Sequence, residues 1–234
     1  MAIYYLVSGI DYNDMGKEIF DRIGKDLEDI KKVVFIPGKP HEMEKSFFEK
    51  ELSAEKFKYY GIDFSEYVFL DDKTMTSSEM KAHIDTADML VLLGGHPEKQ
   101  MKFIRGNNIT KEVILFDKVV LAMSAGAMNL SRICVNIPLT EYYNDYNPYN
   151  GLWCFEFSIM PHFNVVSNEN GGIKLHHYDK FNMDNFKRAA GNELVYCLSD
   201  NDFVRVSDRG TELCGDNIYV YENGEIYKEG DSHE

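Results

Sequence analysis

Three side chains in this chain could together attack a carbonyl group. Ser124 lies in "LAMSAGAM", His162 in "MPHFN" and Asp200 in "CLSDND". A serine hydroxyl is a poor nucleophile near neutral pH unless a base takes its proton. His162 can be that base, and a carboxylate should orient its imidazole. Asp200 is the first candidate for the carboxylate and Asp202 the second. Glu141, from the loop after the Ser124 segment, is the weaker alternative.

A serine nucleophile must be lifted out on a sharp strand-to-helix turn, where bulky neighbours would clash. Ala122, Ala125, Gly126 and Ala127 are all small. The usual pentapeptide has glycine two before and two after the serine, and Ala122 replaces the first of these. A helix starting after Ser124 would present unpaired backbone N–H groups, so the N–H of Ala125 is a natural oxyanion donor. The alternative is a serine N-cap in a tight core turn. "GGHP" supplies the second donor: Gly94 and Gly95 follow a buried strand and let backbone approach a ligand, with the Gly95 N–H as candidate. His96, just before Pro97, reads as a pocket wall or an exposed side chain. Pro161 restricts the chain before His162, and Phe163 can anchor it.

These segments can meet only if the fold brings them to one edge. "VVFIP", "MLVLLGG" and "VVLAM" are continuous apolar runs, as expected of parallel strands covered on both faces. They alternate with amphipathic stretches such as "NDMGKEIFDRIGKDLEDI", "HEMEKSFFEKELSAEKFKYYG", "SSEMKAHIDTA" (with a serine N-cap) and "PEKQMKFIRGNN". The expectation is an α/β three-layer sandwich with a mostly parallel central sheet, over one domain, 1–234. Ligands of such sheets bind beyond the carboxyl ends of the strands, where "GGHP", "SAGA" and "PHFN" all fall. After about residue 140 the pattern changes. "CFEFSIMPHF" reads as a strand, "VVSNENGGIKLHHYDKFNMDNF" as a glycine-rich turn leading into a helix, and the rest as short strands with a hairpin at "ENGE", a small antiparallel extension.

The net charge of −14 disfavours nucleic acid and anionic membranes as partners. The N-terminal "MAIYYLVSGI" reads as a core strand rather than a signal peptide. Cys134, Cys154, Cys197 and Cys214 are not at metal-ligand spacing and suggest no disulfide framework, so neither metal nor cofactor is expected and a cytoplasmic setting is.

Taken in order, "LLGGHPEKQ", "AMSAGAM", "FSIMPHFN" and "LSDND" resemble the peptidase E family of aspartyl dipeptidases and the related cyanophycinases. The resemblance runs from the first strand to about residue 207. It implies a flavodoxin-like fold similar to class I glutamine amidotransferases, a Ser-His-Asp/Glu site without metal, and cleavage of small peptides near an acidic residue. The chain departs from the family in three places. His96 stands where the family has asparagine. "NIPLTE" lacks the aspartate expected after the nucleophile helix, which favours Asp200 over Glu141. "SNENGGIKLHHYDKFN" lacks the arginine that recognises a substrate aspartate. Lys174, His176 and His177 are the substitutes for that positive charge, and aspartate specificity is not carried over.

The expectation is a serine peptidase for small peptides, with a homo-oligomer left open. The alternatives are a non-catalytic member that binds a small metabolite in the same pocket, and amidohydrolase or transferase chemistry.

Overall fold

A computed structural model describes residues 2–10, 14–40, 54–140, 146–169, 172–176 and 178–230. Its central sheet has seven strands in the order β13-β12-β1-β5-β4-β2-β3. The strands are β1 (Ile3–Val7), β2 (Lys32–Ile36), β3 (Glu66–Phe69), β4 (Met89–Leu92), β5 (Val119–Met123), β12 (Phe203–Ser207) and β13 (Gly210–Cys214). The first five run parallel, and β12 and β13 add antiparallel strands at the β1 edge.

The apolar runs are buried because both faces of the parallel strands are covered. Tyr5, Leu121, Val91 and Phe35 stand in one register row across β1, β5, β4 and β2. That row faces Ile19, Phe20 and Ile23 of α1 (Asp14–Asp26) and Phe57 of α2 (54–59). Side chains of a strand alternate between faces, so Leu6, Val34, Leu90, Val120 and Ala122 belong to the opposite cluster. They pack there with residues of α3 (Ser77–Asp85), α4 (Pro97–Gly106), α5 (Thr110–Leu115) and α6 (Ala125–Leu130).

Local signals explain the helix starts, with one shift. The α3 N-cap is Thr76 rather than a serine. Its hydroxyl accepts the Glu79 N–H while the Glu79 carboxylate accepts the Thr76 N–H, a reciprocal capping box. Pro97 occupies the first turn of α4, where its missing N–H costs nothing. The expected helix over 41–61 is described only from 54 onwards.

The later part of the chain differs from the expected single sheet with an extension. Only Ser158–Met160 of "CFEFSIMPHF" forms a strand, β8, and it lies outside the central sheet. It pairs in parallel with β11 (Val195–Cys197) in a second sheet, completed by the antiparallel β14 (Tyr219–Glu222) and β15 (Glu225–Lys228). Alternation in "CFEF" reflects packing rather than pairing: Phe155 and Phe157 stack on each other and join the core. Asn223 and Gly224 both have positive φ in the "ENGE" turn, as a two-residue hairpin loop requires. Two short pairs complete the fold: β6 (Ile133–Cys134) with β7 (Tyr149–Asn150), and β9 (Val165–Glu169) with β10 (Gly172–Leu175). Helix α7 (Met183–Ala190) follows the second pair. The β9–β10 pair replaces the simple turn expected from the glycines.

Candidate active site

Ser124 joins β5 to α6 with φ 46° and ψ −106°, a conformation sparsely populated by residues with a side chain. Its N–H donates to the Val7 carbonyl at 2.8 Å, and its carbonyl accepts the Met128 N–H at 3.0 Å, opening the helix. The Ser124 N–H is therefore engaged, while Ala125 is the first residue of α6, where N–H groups lack an intrahelical acceptor. A Cβ on Gly126 would lie 2.5 Å from the Leu92 carbonyl oxygen, so this glycine is a steric requirement. Ala122 is not under that constraint. It pairs with Leu6 and Leu92 in the ladder, and its methyl is part of the core, so the variant pentapeptide costs the turn nothing.

The segment after β4 is held by a close backbone contact. The His96 N–H donates to the Gly38 carbonyl at 2.9 Å, and a Cβ on Gly95 would lie 2.6 Å from that oxygen. Gly95 has φ 147°, which only glycine adopts without strain. Gly38, in the turn after β2, is the other half of this contact.

His162 follows β8 by two residues and also has a positive φ, 57°. Its Nε2 is 2.9 Å from Ser124 Oγ, and its Nδ1 is 2.6 Å from Asp200 Oδ1. Asp200 sits between β11 of the second sheet and β12 of the central sheet. The structure thus brings together the three residues singled out first.

Burial disfavours ionisation of Asp200. Hydrogen bonding to His162 and electrostatic interaction with it, then hydrogen bonds from Asn164 and Ser8, outweigh that and bring its pKa down to about 2. The Asn164 amide donates to Asp200 Oδ2 at 2.7 Å and accepts the Asp200 N–H at 2.8 Å. Ser8 Oγ donates to Asp200 Oδ1 at 3.0 Å and accepts the His162 N–H at 2.6 Å. Gly9 makes room: a Cβ there would lie 2.6 Å from Asp200 Oδ1.

Ser8, Gly9 and Asn164 were missed by the reading from sequence. The usable signal for the first two was their place at the carboxyl end of β1, the same edge that marked Ser124. Asn164 was in view in "PHFN" without a role.

Asp202 turns away from His162. It is 2% exposed and accepts backbone hydrogen bonds from residues 199, 216 and 217. Burial pushes its carboxyl up to about 6, against those bonds, and its Oδ2 has no partner among the described residues. Glu141 and His177 lie outside the described residues. Lys174 and His176 are exposed on and just after β10, outside the lining of the cavity at Ser124, and His96, at the N-cap position of α4 without a side-chain capping bond, is outside it too.

That cavity measures about 400 Å³ and is bordered by Ser8, Gly94, Gly95, Ser124, Pro161 and His162. The size is within the range for sites that enclose small molecules. Among the described residues on its wall, Lys39 and Lys56 carry charged side chains. No group of His, Cys, Asp and Glu among the described residues could hold a metal ion.

Solved structures with the same fold include a peptidase E candidate from Listeria monocytogenes EGD-e. It is 17% identical, with 91% of this chain and 98% of that one covered and a TM-score of 0.63. A peptidase from an acI-B1 Actinobacterium is 14% identical, with 97% of each chain covered and a TM-score of 0.63. No curated protein matches the chain. The model of peptidase family S51 matches residues 5–214, a span that contains every residue of the hydrogen-bonded relay, and the chain belongs to that family of serine peptidases.

Proposed function

We propose that the protein hydrolyses small peptides through an acyl-enzyme formed on Ser124. The observation that carries this reading is the unbroken relay from Ser124 Oγ through His162 to Asp200, opening on the cavity. Asp200, held well below the usual carboxylate range, is ionised near neutral pH and accepts the Nδ1–H of His162. That leaves the Nε2 lone pair facing the serine hydroxyl, the arrangement a general base needs.

In this reading Ser124 Oγ bonds to the substrate carbonyl carbon as its proton passes to His162 Nε2. The Gly95 and Ala125 N–H groups hold the oxyanion. The C–N bond then breaks, and His162 returns the proton to the leaving amine. Water, deprotonated by the same imidazole, releases the acid and frees the serine.

The wider reading is of one catalytic domain over 1–234 with the class I glutamine amidotransferase-like, flavodoxin-like arrangement. The parallel strands with helices on both faces support it. The four cysteines are all free thiols, which supports a reducing, cytoplasmic setting. No helix among the described residues is long and apolar enough to cross a membrane.

The test is covalent labelling with a fluorophosphonate. Wild-type protein should be labelled and Ser124→Ala should not. Equal labelling of both, or of neither, would remove Ser124 from the nucleophile's role.

A further inference from the structure

Two fully buried amides lie behind the site. Gln100 of α4 and Asn129 of α6 are both 0% exposed. Removing such groups from water is costly unless their hydrogen bonds are replaced. Here they are. Asn129 Nδ2 donates to the Pro97 carbonyl at 2.9 Å and to Gln100 Oε1 at 3.0 Å. Gln100 Nε2 donates to the Leu93 carbonyl at 2.9 Å and to the Ile36 carbonyl at 3.4 Å. An amide nitrogen carries two hydrogens, so both pairs are in use. The Tyr149 hydroxyl ends the chain by donating to Asn129 Oδ1 at 2.7 Å. Backbone carbonyls only accept, so turning either amide would set acceptor against acceptor. The direction of the whole chain is thereby fixed.

The acceptors show what the chain holds. Leu93 and Pro97 bracket the Gly94–Gly95–His96 segment, which carries one proposed oxyanion donor. That segment lies against the nucleophile, since a Cβ on Gly94 would be 3.5 Å from the Cβ of Ser124. Asn129 belongs to the helix that starts directly after Ser124. Because Gln100 and Asn129 bond to each other, the carbonyls on both sides of Gly95 are tied to the Ser124 elbow through one buried pair. Two amides that only joined α4 to α6 would need no acceptor ahead of α4, yet Gln100 reaches back to Leu93.

We propose that Gln100 and Asn129 are positioning residues for the oxyanion hole. They set the place of the Gly95 N–H relative to Ser124 before substrate arrives, and such preorganisation is what makes an oxyanion donor effective. This rests on Ser124 being the nucleophile and on the Gly95 N–H being a donor to its oxyanion.

The test follows fluorophosphonate labelling in time. Ser124 Oγ bonds to phosphorus, fluoride leaves, and the phosphoryl oxygen takes the oxyanion's place. Gln100→Met keeps the size of the side chain and removes its donors and its acceptor. A loss of positioning slows labelling but lets it run to completion. A loss of folded protein lowers the final extent and leaves the rate constant of the remainder unchanged. We expect the rate constant to fall by roughly 10–100-fold at full extent, and Asn129→Leu to behave alike. If neither variant folds, Tyr149→Phe gives the second reading. It removes one hydroxyl and leaves Asn129 Oδ1 without its donor, and it should show a several-fold drop in the same rate constant. An unchanged rate constant in a folded variant, whatever the extent, overturns the positioning role and leaves the serine mechanism standing. Wild-type protein that is not labelled, or Ser124→Ala labelled equally, overturns the mechanism beneath it.

Discussion

Ser8 connects to Asp200 through a hydroxyl that also holds the backbone of His162. It donates to Asp200 Oδ1 at 3.0 Å and accepts the His162 N–H at 2.6 Å, so base and orienting carboxylate are positioned by one side chain. Ser8→Ala removes both bonds and leaves the His162 N–H without its acceptor. We expect kcat to fall by roughly 10–100-fold with KM nearly unchanged, because small misplacements of a reacting group cost about that much. Asp200 also loses a donor that favours its ionised form, so its carboxyl should rise from about 2. Steady-state kinetics and an NMR titration of that carboxyl check both expectations. An unchanged kcat would give Ser8 no part in positioning.

If Ser124 and His162 act as one unit, their removals should not add. Ser124→Ala and His162→Ala should each lower kcat by at least about 10³-fold, and the double variant should be no slower than the worse single one. Measurement of all three against an assay of adequate sensitivity decides this. Additive losses would mean that the two residues act independently.

The elbow makes a contrasting prediction for two small residues. Gly126→Ala places a methyl 2.5 Å from the Leu92 carbonyl oxygen, a backbone atom that cannot move without the strand. Overpacking of this kind costs roughly 1–3 kcal/mol or more. Ala122→Gly, which would restore the usual pentapeptide, removes a buried methyl and loosens the strand, and should cost only about 1 kcal/mol. Urea denaturation of the two variants checks the order.

Asp202 predicts an unusual slope of stability with pH. Its folded pKa is raised from 3.8 to about 6, so the native state holds a proton that the unfolded chain would release. Its contribution to stability is full below the unfolded value and is lost as pH rises towards 6, about 3 kcal/mol in all. Asp200 has the opposite sign. Its lowered pKa adds stability above about 4 that disappears as pH falls towards 2. Asp202→Asn should flatten the stability curve between pH 4 and 6 while leaving the steeper loss at lower pH. Chemical denaturation at half-unit pH steps would show it, and an unaltered slope would rule out Asp202 as its source.

The relay was legible in the sequence because Ser124, His162 and Asp200 each follow an apolar strand and sit among residues that only a turn explains. The residues that hold them were not. A lone serine and glycine after "IYYLV" carry no periodic signal, and the meaning of Ser8 and Gly9 depends on Asp200 almost two hundred positions later. Lys39 and Lys56 were hidden for the same reason: one lies in a turn and the other on a helix, and only the packed fold puts both on the cavity wall. The central strands were readable because burial on both faces makes them uniformly apolar. The strands of the second sheet were readable one by one, but not their separation from the central sheet, because β8 and β11 have three residues each, too few to show which sheet they join.

That second sheet has a consequence for how the enzyme is made and lost. Ser124 extends from a strand of the central sheet, His162 from a strand of the other, and Asp200 from the segment that crosses between them. Among the described residues no hydrogen-bonded ladder joins the two sheets, so the pairing within either one does not set the distance from hydroxyl to imidazole. Catalysis is then a gauge of their docking. On slow addition of urea, turnover should vanish while the ellipticity of the central sheet persists, and a tight covalent inhibitor bridging the site would clamp the two halves and bring the transitions together.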